Sequence, residues 1–384
     1  MRTRFLSPDD ERWAAWTRSH PCDIYQHPIY LRATSLHESG EPVAFFAENN
    51  DGALLIPLLL RHIPGTDRQD VTSPYGYPAP VWSASNPAPH LLAFVDALRE
   101  RQIVSAFLRL HPLLPGPDYY VQRDGTGDSV CAHKVEHGPT VWLSRMVPED
   151  ESLMRTRPDH RSDIRRLLRE GYRVELLRPD APGAMEAFCE VYTATMDRVK
   201  ASSFYYFSSA YFDVWKDELA DYADLAFVRN ARGDLAAAGL FTRHQRWMQF
   251  HLSGTAAAHR SYAPTKLMLH RIRDAEWTET QRRQTSVDAP SGDEPAVLHL
   301  GGGLNAATDS LFDFKAGFSD RRATFSTWRI ICDSGAYASL SSQVTGPLTT
   351  GQHDSKDNAL ADSANEGDPE MAGLTGGFFP AYRR

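Results

Sequence analysis

One lysine lies among aromatic residues late in the sequence, in the run Phe314-Lys315-Ala316-Gly317-Phe318. An ammonium group is costly to bury unless its charge is used. One use is to stabilise the negative charge that develops on an oxygen atom during acyl transfer. We therefore predict that Lys315 is catalytic. The alternative is a lysine whose stem packs in the core while its ammonium reaches solvent.

Two histidines are candidates for taking a proton from an attacking group. His251 lies in a predicted strand with Ser253, where alternate residues share a face, so both side chains should point to one side and Ser253 could contact substrate. His299 lies in a short predicted strand of its own. Structural histidines are the alternative, and the sequence does not choose between His251, His299 and a carboxylate as the base.

The strand that carries His299 ends in three consecutive glycines: Gly301, Gly302 and Gly303. Consecutive glycines are entropically costly and allow close approach to the backbone. We predict that these glycines contact substrate, with a flexible turn as the alternative.

A basic helix predicted over residues 159–170 carries arginines four positions apart: Arg161, Arg165 and Arg169. Such residues share one helical face, which could bind phosphates of an RNA end or of a nucleotide-linked acceptor. Lys266, near the start of a helix predicted over 265–277, is a further candidate for phosphate binding. Tyr262, just before it, is a candidate substrate contact. A solvated basic face is the alternative for the arginines.

Two tyrosines flank Gly76 in a proline-rich loop over residues 72–80. The prolines should make this loop rigid, so that it displays the hydroxyls of Tyr75 and Tyr77 towards a substrate. A packing loop between domains is the alternative, because buried Tyr and Pro clusters are common.

Length and composition limit the class of protein. With 384 residues, two domains are expected, and 42% hydrophobic and 23% charged residues are typical of a globular chain. The net charge of −8 restricts any nucleic-acid contact to a local patch. The longest apolar run is too short to span a bilayer, no signal peptide is evident, and the four cysteines lack metal or disulfide spacing. We expect a cytoplasmic protein without a bound metal.

The predicted elements indicate an α/β (α+β layered) fold. A hairpin with its turn at 49–52 opens the first domain, residues 1–148. In the second domain, residues 149–333, the predicted order is helix, strand, two helices, hairpin, strand, helix, strand, which is typical of an N-acyltransferase of the GNAT type. Residues 334–384 are rich in Ser, Gly and acidic residues, so we predict a disordered tail.

Taken together, five segments resemble the Fem-type branch of the GNAT superfamily. They are 74–77 (Pro-Tyr-Gly-Tyr), the arginine-rich helix, 264–267 (Pro-Thr-Lys-Leu), 298–303 (Leu-His-Leu-Gly-Gly-Gly) and 314–318 (Phe-Lys-Ala-Gly-Phe). The resemblance covers roughly residues 20 to 332. It implies tandem GNAT-like domains, each with a mixed, mostly antiparallel sheet flanked by helices. It also implies that Phe314 and Lys315 position and stabilise the reacting ester.

The resemblance further implies transfer of an aminoacyl group from charged tRNA to the amine of a small molecule or peptide, such as a natural-product or cell-wall precursor. The co-substrate would be aminoacyl-tRNA, recognised at its 3′ end, with no tightly bound cofactor and with a monomer or homodimer as the active form. No heptad-bearing arm is present, which argues against a peptidoglycan substrate. One alternative is an acyl-CoA-dependent N-acyltransferase, although residues 256–264 lack the glycines of a pyrophosphate loop. Another is a non-catalytic polysaccharide-assembly or scaffold protein that retains the fold.

Overall fold

The computed structural model describes residues 1–116, 131–285, 296–344 and 378–383. The chain divides into two compact units: unit 1 is Met1–Gly138 with Thr324–Arg384, and unit 2 is Pro139–Ala323. The chain therefore leaves unit 1 once and returns to it. The sequence predicted boundaries at 148/149 and 333/334 instead. The observed boundaries lie inside two strands, Cys131–Ser144 and Arg322–Ile331, so no separate linker segment marks them in the sequence.

Unit 1 is a mixed sheet with helices. Up to the boundary its elements are β1 (Arg2–Leu6), α1 (Glu11–Ser19), α2 (Pro28–Ser35), β2 (Glu41–Asn49), β3 (Gly52–His62), β4 (Gln69–Thr72), β5 (Val81–Trp82), α3 (Ala88–Glu100), β6 (Ile103–Arg109) and β7 (Cys131–Ser144), which crosses into unit 2. The predicted hairpin is confirmed, since Asn49 pairs with Gly52 across the turn between β2 and β3.

Unit 2 contains the predicted elements in the predicted order, with one additional helix at each end. Its elements are α4 (Glu149–Arg155), α5 (Pro158–Arg169), β8 (Arg173–Leu177), α6 (Ala184–Val199), α7 (Ser209–Asp217), β9 (Ala223–Arg229), β10 (Leu235–His244), β11 (Trp247–Thr255), α8 (Thr265–Ile272), α9 (Ala275–Thr285), β12 (Val297–Gly301) and α10 (Ser310–Ala316). The additional helices are α4 and α10. The helix predicted over 265–277 is two helices, because the Asp274 carboxylate accepts a hydrogen bond from Trp277 N and starts a new helix.

The chain then returns to unit 1 through β13 (Arg322–Ile331) and α11 (Ser334–Val344). The sheet of unit 1 has the strand order β1-β2-β3-β4-β6-β13, with β5 paired to β3. Its described pairs are antiparallel except for β4 and β6, which are parallel and are connected through α3.

The sheet of unit 2 has the order β7-β12-β11-β10-β9-β8, and its described pairs are antiparallel except for β11 and β12. Helices α6 and α7 pack together through Phe188 and Phe212 on one face of this sheet. Helices α5 and α8 cover the other face, where Ile164 and Leu267 join the main apolar cluster of the unit. Each unit is thus a mixed, mostly antiparallel sheet flanked by helices, as predicted.

The prediction of a disordered tail over 334–384 is wrong for the parts that the structure describes. Residues 334–344 form α11, and Tyr337, Phe379 and Tyr382 are buried in an apolar cluster of unit 1. The low apolar content of the whole stretch concealed two short pieces that carry aromatic residues. The rest of the predicted tail, 345–377 and 384, lies outside the described residues.

Candidate functional site

Lys315 lies in α10 and is 9% exposed, so its side chain is almost removed from solvent. Its Nζ donates a hydrogen bond to the carbonyl oxygen of Gly302 at 2.6 Å. Burial lowers the pKa of Lys315 to about 8, and the negative charge of Asp309 opposes that shift. No carboxylate of the described residues forms a direct ion pair with this ammonium. The group is therefore a buried cation whose direct partner is a neutral oxygen.

The glycine run and α10 are held together by Asp309. Its Oδ1 accepts a hydrogen bond from Phe312 N, which caps α10, and its Oδ2 accepts one from Leu304 N. A Cβ on Gly303 would lie 2.1 Å from Ala307 O and 2.3 Å from Asp309 Oδ1, so this close approach requires glycine. The glycine run thus brings the Gly302 carbonyl to Lys315.

A histidine that the sequence analysis did not select packs against α10. His160 lies in α5 and is 1% exposed, with ring centroids 5.6 Å from Phe314 and 4.8 Å from Phe318. A Cβ on Gly317 would lie 2.3 Å from its Cε1. Because His160 shares the helical spacing of the buried Ile164 and Leu167, its place on the inner face could have been predicted.

The arginine-rich helix also contacts α10 through its first residues. Arg157 N donates to Gly317 O at 2.8 Å, and Arg157 Nη2 donates to His160 Nε2 at 3.1 Å. Burial and the positive charges of Lys266 and Arg157 lower the pKa of His160 to about 4. A neutral His160 therefore fills the space between α5 and α10 at ordinary pH.

The predicted phosphate ligands have different partners in the structure. Lys266 is buried, and its Nζ donates to Asp163 Oδ2 at 2.6 Å. Arg161 Nη1 donates to the carbonyl oxygens of Met154 and Thr156, which ties α4 to α5. Arg165 is exposed. Of these three predicted ligands, Arg165 is the one whose surroundings suit a phosphate in solution.

The prediction that His251 and Ser253 share a face is wrong. Phe250 pairs with Phe241 of β10, and Leu252 pairs with Leu240, so His251 is the extra residue of a β-bulge, which reverses the alternation of side chains. His251 Nε2 lies 2.7 Å from the hydroxyl of Tyr211 in α7.

Ser253 points to the other face of the sheet. It pairs with Gly239, and a Cβ on Gly239 would meet Met268 of α8. Tyr262 lies near this face, half-buried, and its carbonyl oxygen accepts a hydrogen bond from Arg166 Nη2 at 3.3 Å. Ser253 and Tyr262 are thus on the side of the sheet that α5 and α8 cover.

His299 is on the same face as His251. Its neighbours Leu298 and Leu300 point into the apolar cluster that α5 and α8 cover, so His299 points to the other face of the sheet. There it is paired with Gln249 of β11, and its Nδ1 lies 2.8 Å from Gln249 Oε1. The parallel pairing of β11 with β12 ends at this pair, so the two strands are not paired beyond it. Helix α10 packs on the opposite face, through Phe312. The structure therefore does not bring His251 or His299 together with Lys315.

Tyr75 and Tyr77 belong to unit 1, where both are half-buried. Tyr75 O accepts a hydrogen bond from the Tyr30 hydroxyl at 2.8 Å, and Tyr75 N donates to Glu38 Oε1 at 2.6 Å. The ring of Tyr77 packs edge-on against Phe325, with centroids 5.6 Å apart. The backbone of this loop is thus hydrogen-bonded to Tyr30 of α2 and to Glu38, which follows that helix.

Two further properties of the described residues concern metal binding and membrane-spanning helices. In residues 1–116, 131–285, 296–344 and 378–383, no three His, Cys, Asp or Glu side chains are grouped so as to hold a metal ion. In those same ranges, no helix has the length and apolar character that crossing a membrane requires.

Each of the two units has a mixed sheet with one parallel strand pair. Unit 2 also holds a buried lysine beside a run of glycines. Comparison of the sequence with protein-family models and with curated proteins gives no match. The structure is similar to that of FemX, with a TM-score of 0.61 and 13% identity over 88% of this chain and 99% of that chain.

Two other solved structures are similar over much of the chain. A conserved protein of unknown function from Bacteroides thetaiotaomicron VPI-5482 has a TM-score of 0.53 and 9% identity, over 86% of this chain and 99% of that chain. The C-terminal domain of a putative lysylphosphatidylglycerol synthetase from Agrobacterium fabrum has a TM-score of 0.50 and 13% identity, over 87% and 95% of the two chains. The chain therefore shares the fold of FemX, which agrees with the resemblance that its sequence motifs showed.

Proposed function

We propose that this protein is an acyltransferase and, more specifically, that it transfers an aminoacyl group from charged tRNA to an amine. The observation that carries the proposal is the buried Lys315 ammonium, 2.6 Å from the Gly302 carbonyl oxygen. The Fem-like fold supports it, because the lysine lies in the segment whose motif resembles that family.

In the proposed reaction, the acceptor nitrogen attacks the ester carbonyl carbon, and the carbonyl oxygen becomes an oxyanion. Lys315 donates a hydrogen bond to that oxyanion, in a site where burial strengthens the interaction. The ester C–O bond then breaks, the ribose oxygen leaves and takes up a proton, and the nitrogen loses one. Phe314 holds α10 against His160, with ring centroids 5.6 Å apart, and so fixes the position of the ammonium.

The other predicted roles are part of the proposal. Arg165 is the candidate contact for phosphates of the donor, together with the neighbouring exposed Arg169, and Tyr75 and Tyr77 are candidate contacts for the acceptor. His251 and His299 were the predicted proton acceptors, but both lie on the sheet face opposite α10 and away from an ester held at Lys315. Their replacement should therefore affect transfer less than replacement of Lys315.

The test is a transfer assay with the full-length protein, pools of tRNA charged with radiolabelled amino acids, and a mixture of amines and short peptides. Parallel reactions contain acetyl-CoA in place of tRNA. The proposal predicts amide product that disappears when the charged tRNA is treated with RNase beforehand, and that falls when Lys315 is replaced by Met.

Turnover that survives RNase and follows the acetyl-CoA concentration would contradict tRNA dependence and favour the acyl-CoA alternative. If neither donor supports transfer while FemX-type controls are active, the scaffold alternative is favoured.

A further inference from the structure

Residues 378–383 pack into a groove of unit 1, and we call them the 378–383 segment. Phe379 and Tyr382 are 2% and 7% exposed. The Phe379 ring is stacked on Tyr337 at 5.8 Å, and the Tyr382 ring meets Tyr337 edge-on at 5.4 Å. The apolar part of the groove also includes Ile63, Val104, Phe107 and Ile331. Two aromatic residues three positions apart therefore fill one apolar cavity.

The polar part of the groove is centred on Asp70 of β4, whose side chain is fully buried. Arg383 Nε donates to Asp70 Oδ2 at 2.5 Å, and Arg383 Nη2 donates to Asp70 Oδ1 at 3.0 Å, so the pair is bidentate. Arg383 Nη2 also donates to His62 O at 2.8 Å. Bidentate arginine–carboxylate pairs are strong and directional, which makes this contact specific for arginine.

Tyr382 adds a second polar contact with the same carboxylate. Its hydroxyl lies 2.7 Å from Ser105 Oγ and donates to Asp70 Oδ2 at 3.2 Å. The backbone of the segment is held as well, since Ala381 N donates to the Tyr337 hydroxyl at 3.1 Å. Asp70 keeps a further partner, because Arg61 Nε donates to its Oδ1 at 2.9 Å. The buried carboxylate would thus stay paired if the 378–383 segment left.

The partners of the segment all lie between residues 62 and 337, more than 40 positions away along the chain. Tyrosine and arginine side chains in well-packed pockets carry much of the binding energy at protein interfaces, and this groove holds one of each beside Phe379.

We propose that this groove is a peptide-recognition site of unit 1, whose ligand is an extended segment with two aromatic residues three positions apart followed by an arginine. Its occupant is the 378–383 segment of the same chain, bound through these contacts and exchangeable with a free peptide of the same sequence. This proposal is independent of the proposed acyl transfer.

The test uses the full-length protein with a protease cleavage site introduced between positions 350 and 370. After cleavage, the piece that carries residues 378–383 should co-elute with the rest of the protein in size-exclusion chromatography. An excess of a synthetic peptide of residues 378–383 should displace it. The same peptide with the substitution Arg383→Ala should need a concentration about tenfold higher or more, the equivalent of ~1.4 kcal/mol of binding free energy.

A matched pair of variants tests the groove itself. Asp70→Asn removes the charge that binds Arg383, so the cleaved piece should separate from the rest of the protein in size-exclusion chromatography without added peptide. Asp67→Asn removes an exposed charge three positions away and should have no effect. If Asp70→Asn does not fold, the two peptides still decide the question.

The proposal is overturned if the cleaved piece separates at once from a body that circular dichroism shows to be folded. It is also overturned if the original peptide and the Arg383→Ala peptide displace the piece equally well. A dimer that falls apart on addition of the original peptide, but not of the Arg383→Ala peptide, would support the same recognition between two copies.

Discussion

Lys315 and Lys266 are equally buried lysines of unit 2, each 9% exposed, but their partners differ. Lys266 Nζ lies 2.6 Å from a carboxylate oxygen of Asp163, and that carboxylate is also 3.1 Å from Arg166. Lys315 Nζ lies 2.6 Å from a carbonyl oxygen, which carries no net charge. Burial alone therefore does not distinguish the two lysines.

The difference shows which of the two ammonium groups could stabilise an oxyanion. A carboxylate largely cancels the electric field of the lysine that it pairs with, whereas a neutral carbonyl oxygen does not. The lowered pKa of Lys315, about 8, expresses the same fact, because no direct ion pair compensates its loss of hydration. The two sites are linked through α5, where Asp159 lies 3.7 Å from Lys266 and Arg157 is bonded to Gly317.

The largest expected effect separates the two lysines in catalysis. Lys315→Met keeps most of the stem and removes the charge, so it should lower kcat by about 10²–10³-fold with little change in KM. Lys266→Met should leave kcat within about threefold, an effect of under ~1 kcal/mol. Steady-state kinetics on both folded variants would measure this. Similar losses of kcat in the two variants would contradict the distinction.

A smaller effect is expected where the two sites meet. Gly317→Ala would place a methyl group against the His160 ring and should lower the free energy of unfolding by about 1–3 kcal/mol, because the interior has no room for it. Gly335→Ala, whose nearest atom would be 3.7 Å away, is the control. The melting temperatures of both variants measure the effect. Equal melting temperatures would mean that the contact between His160 of α5 and Gly317 does not contribute to stability.

Lys266→Met should also reduce stability, by about 1–3 kcal/mol, because it leaves a partly buried carboxylate with one fewer hydrogen bond. Asp163 keeps Arg166 as a partner, which places the effect at the lower end. Denaturant unfolding measures it. A variant more stable than the original would indicate that the ion pair costs more in desolvation than it returns.

The pH dependence of stability should change when Lys315 is replaced. The pKa of Lys315 is lowered from 10.5 to about 8, so between these values the unfolded chain binds more protons than the folded one. Its contribution to stability therefore rises as the pH increases from about 8 to 10.5 and is absent below that window. Melting temperatures should show that Lys315→Met removes this rise; an identical slope in the original protein and the variant would refute it.

The smallest effect concerns the exposed arginines of α5. Replacing Arg165 and Arg169 together by Ala should raise KM for a tRNA donor and reduce the slope of log KM against log salt by about 0.7–0.9 for each phosphate that the variant no longer neutralises. Arg161 is left intact because it holds the backbone of Met154 and Thr156. If the salt slope is unchanged, this helix face is simply solvated.

Hydrophobic periodicity and turn residues were sufficient to predict most elements of unit 2 and the first hairpin of unit 1. Local signals of this kind survive folding because they describe which face of an element is buried. The motif at Phe314-Lys315 pointed to the residue that the structure buries without a direct charge partner. The strand that carries His299 was predicted, but not the face on which it would lie.

What only the tertiary structure decided depends on contacts between residues distant in sequence. The β-bulge at His251 is a property of the pairing between β10 and β11, so a rule based on alternation along one strand placed Ser253 on the wrong face. Lys266 was predicted to bind phosphate because Asp163, its partner, lies 103 positions away. The 378–383 segment was predicted to be disordered because composition averages over a window, whereas Phe379, Tyr382 and Arg383 are stabilised by a groove formed from β4, β6 and α11, which no local pattern describes.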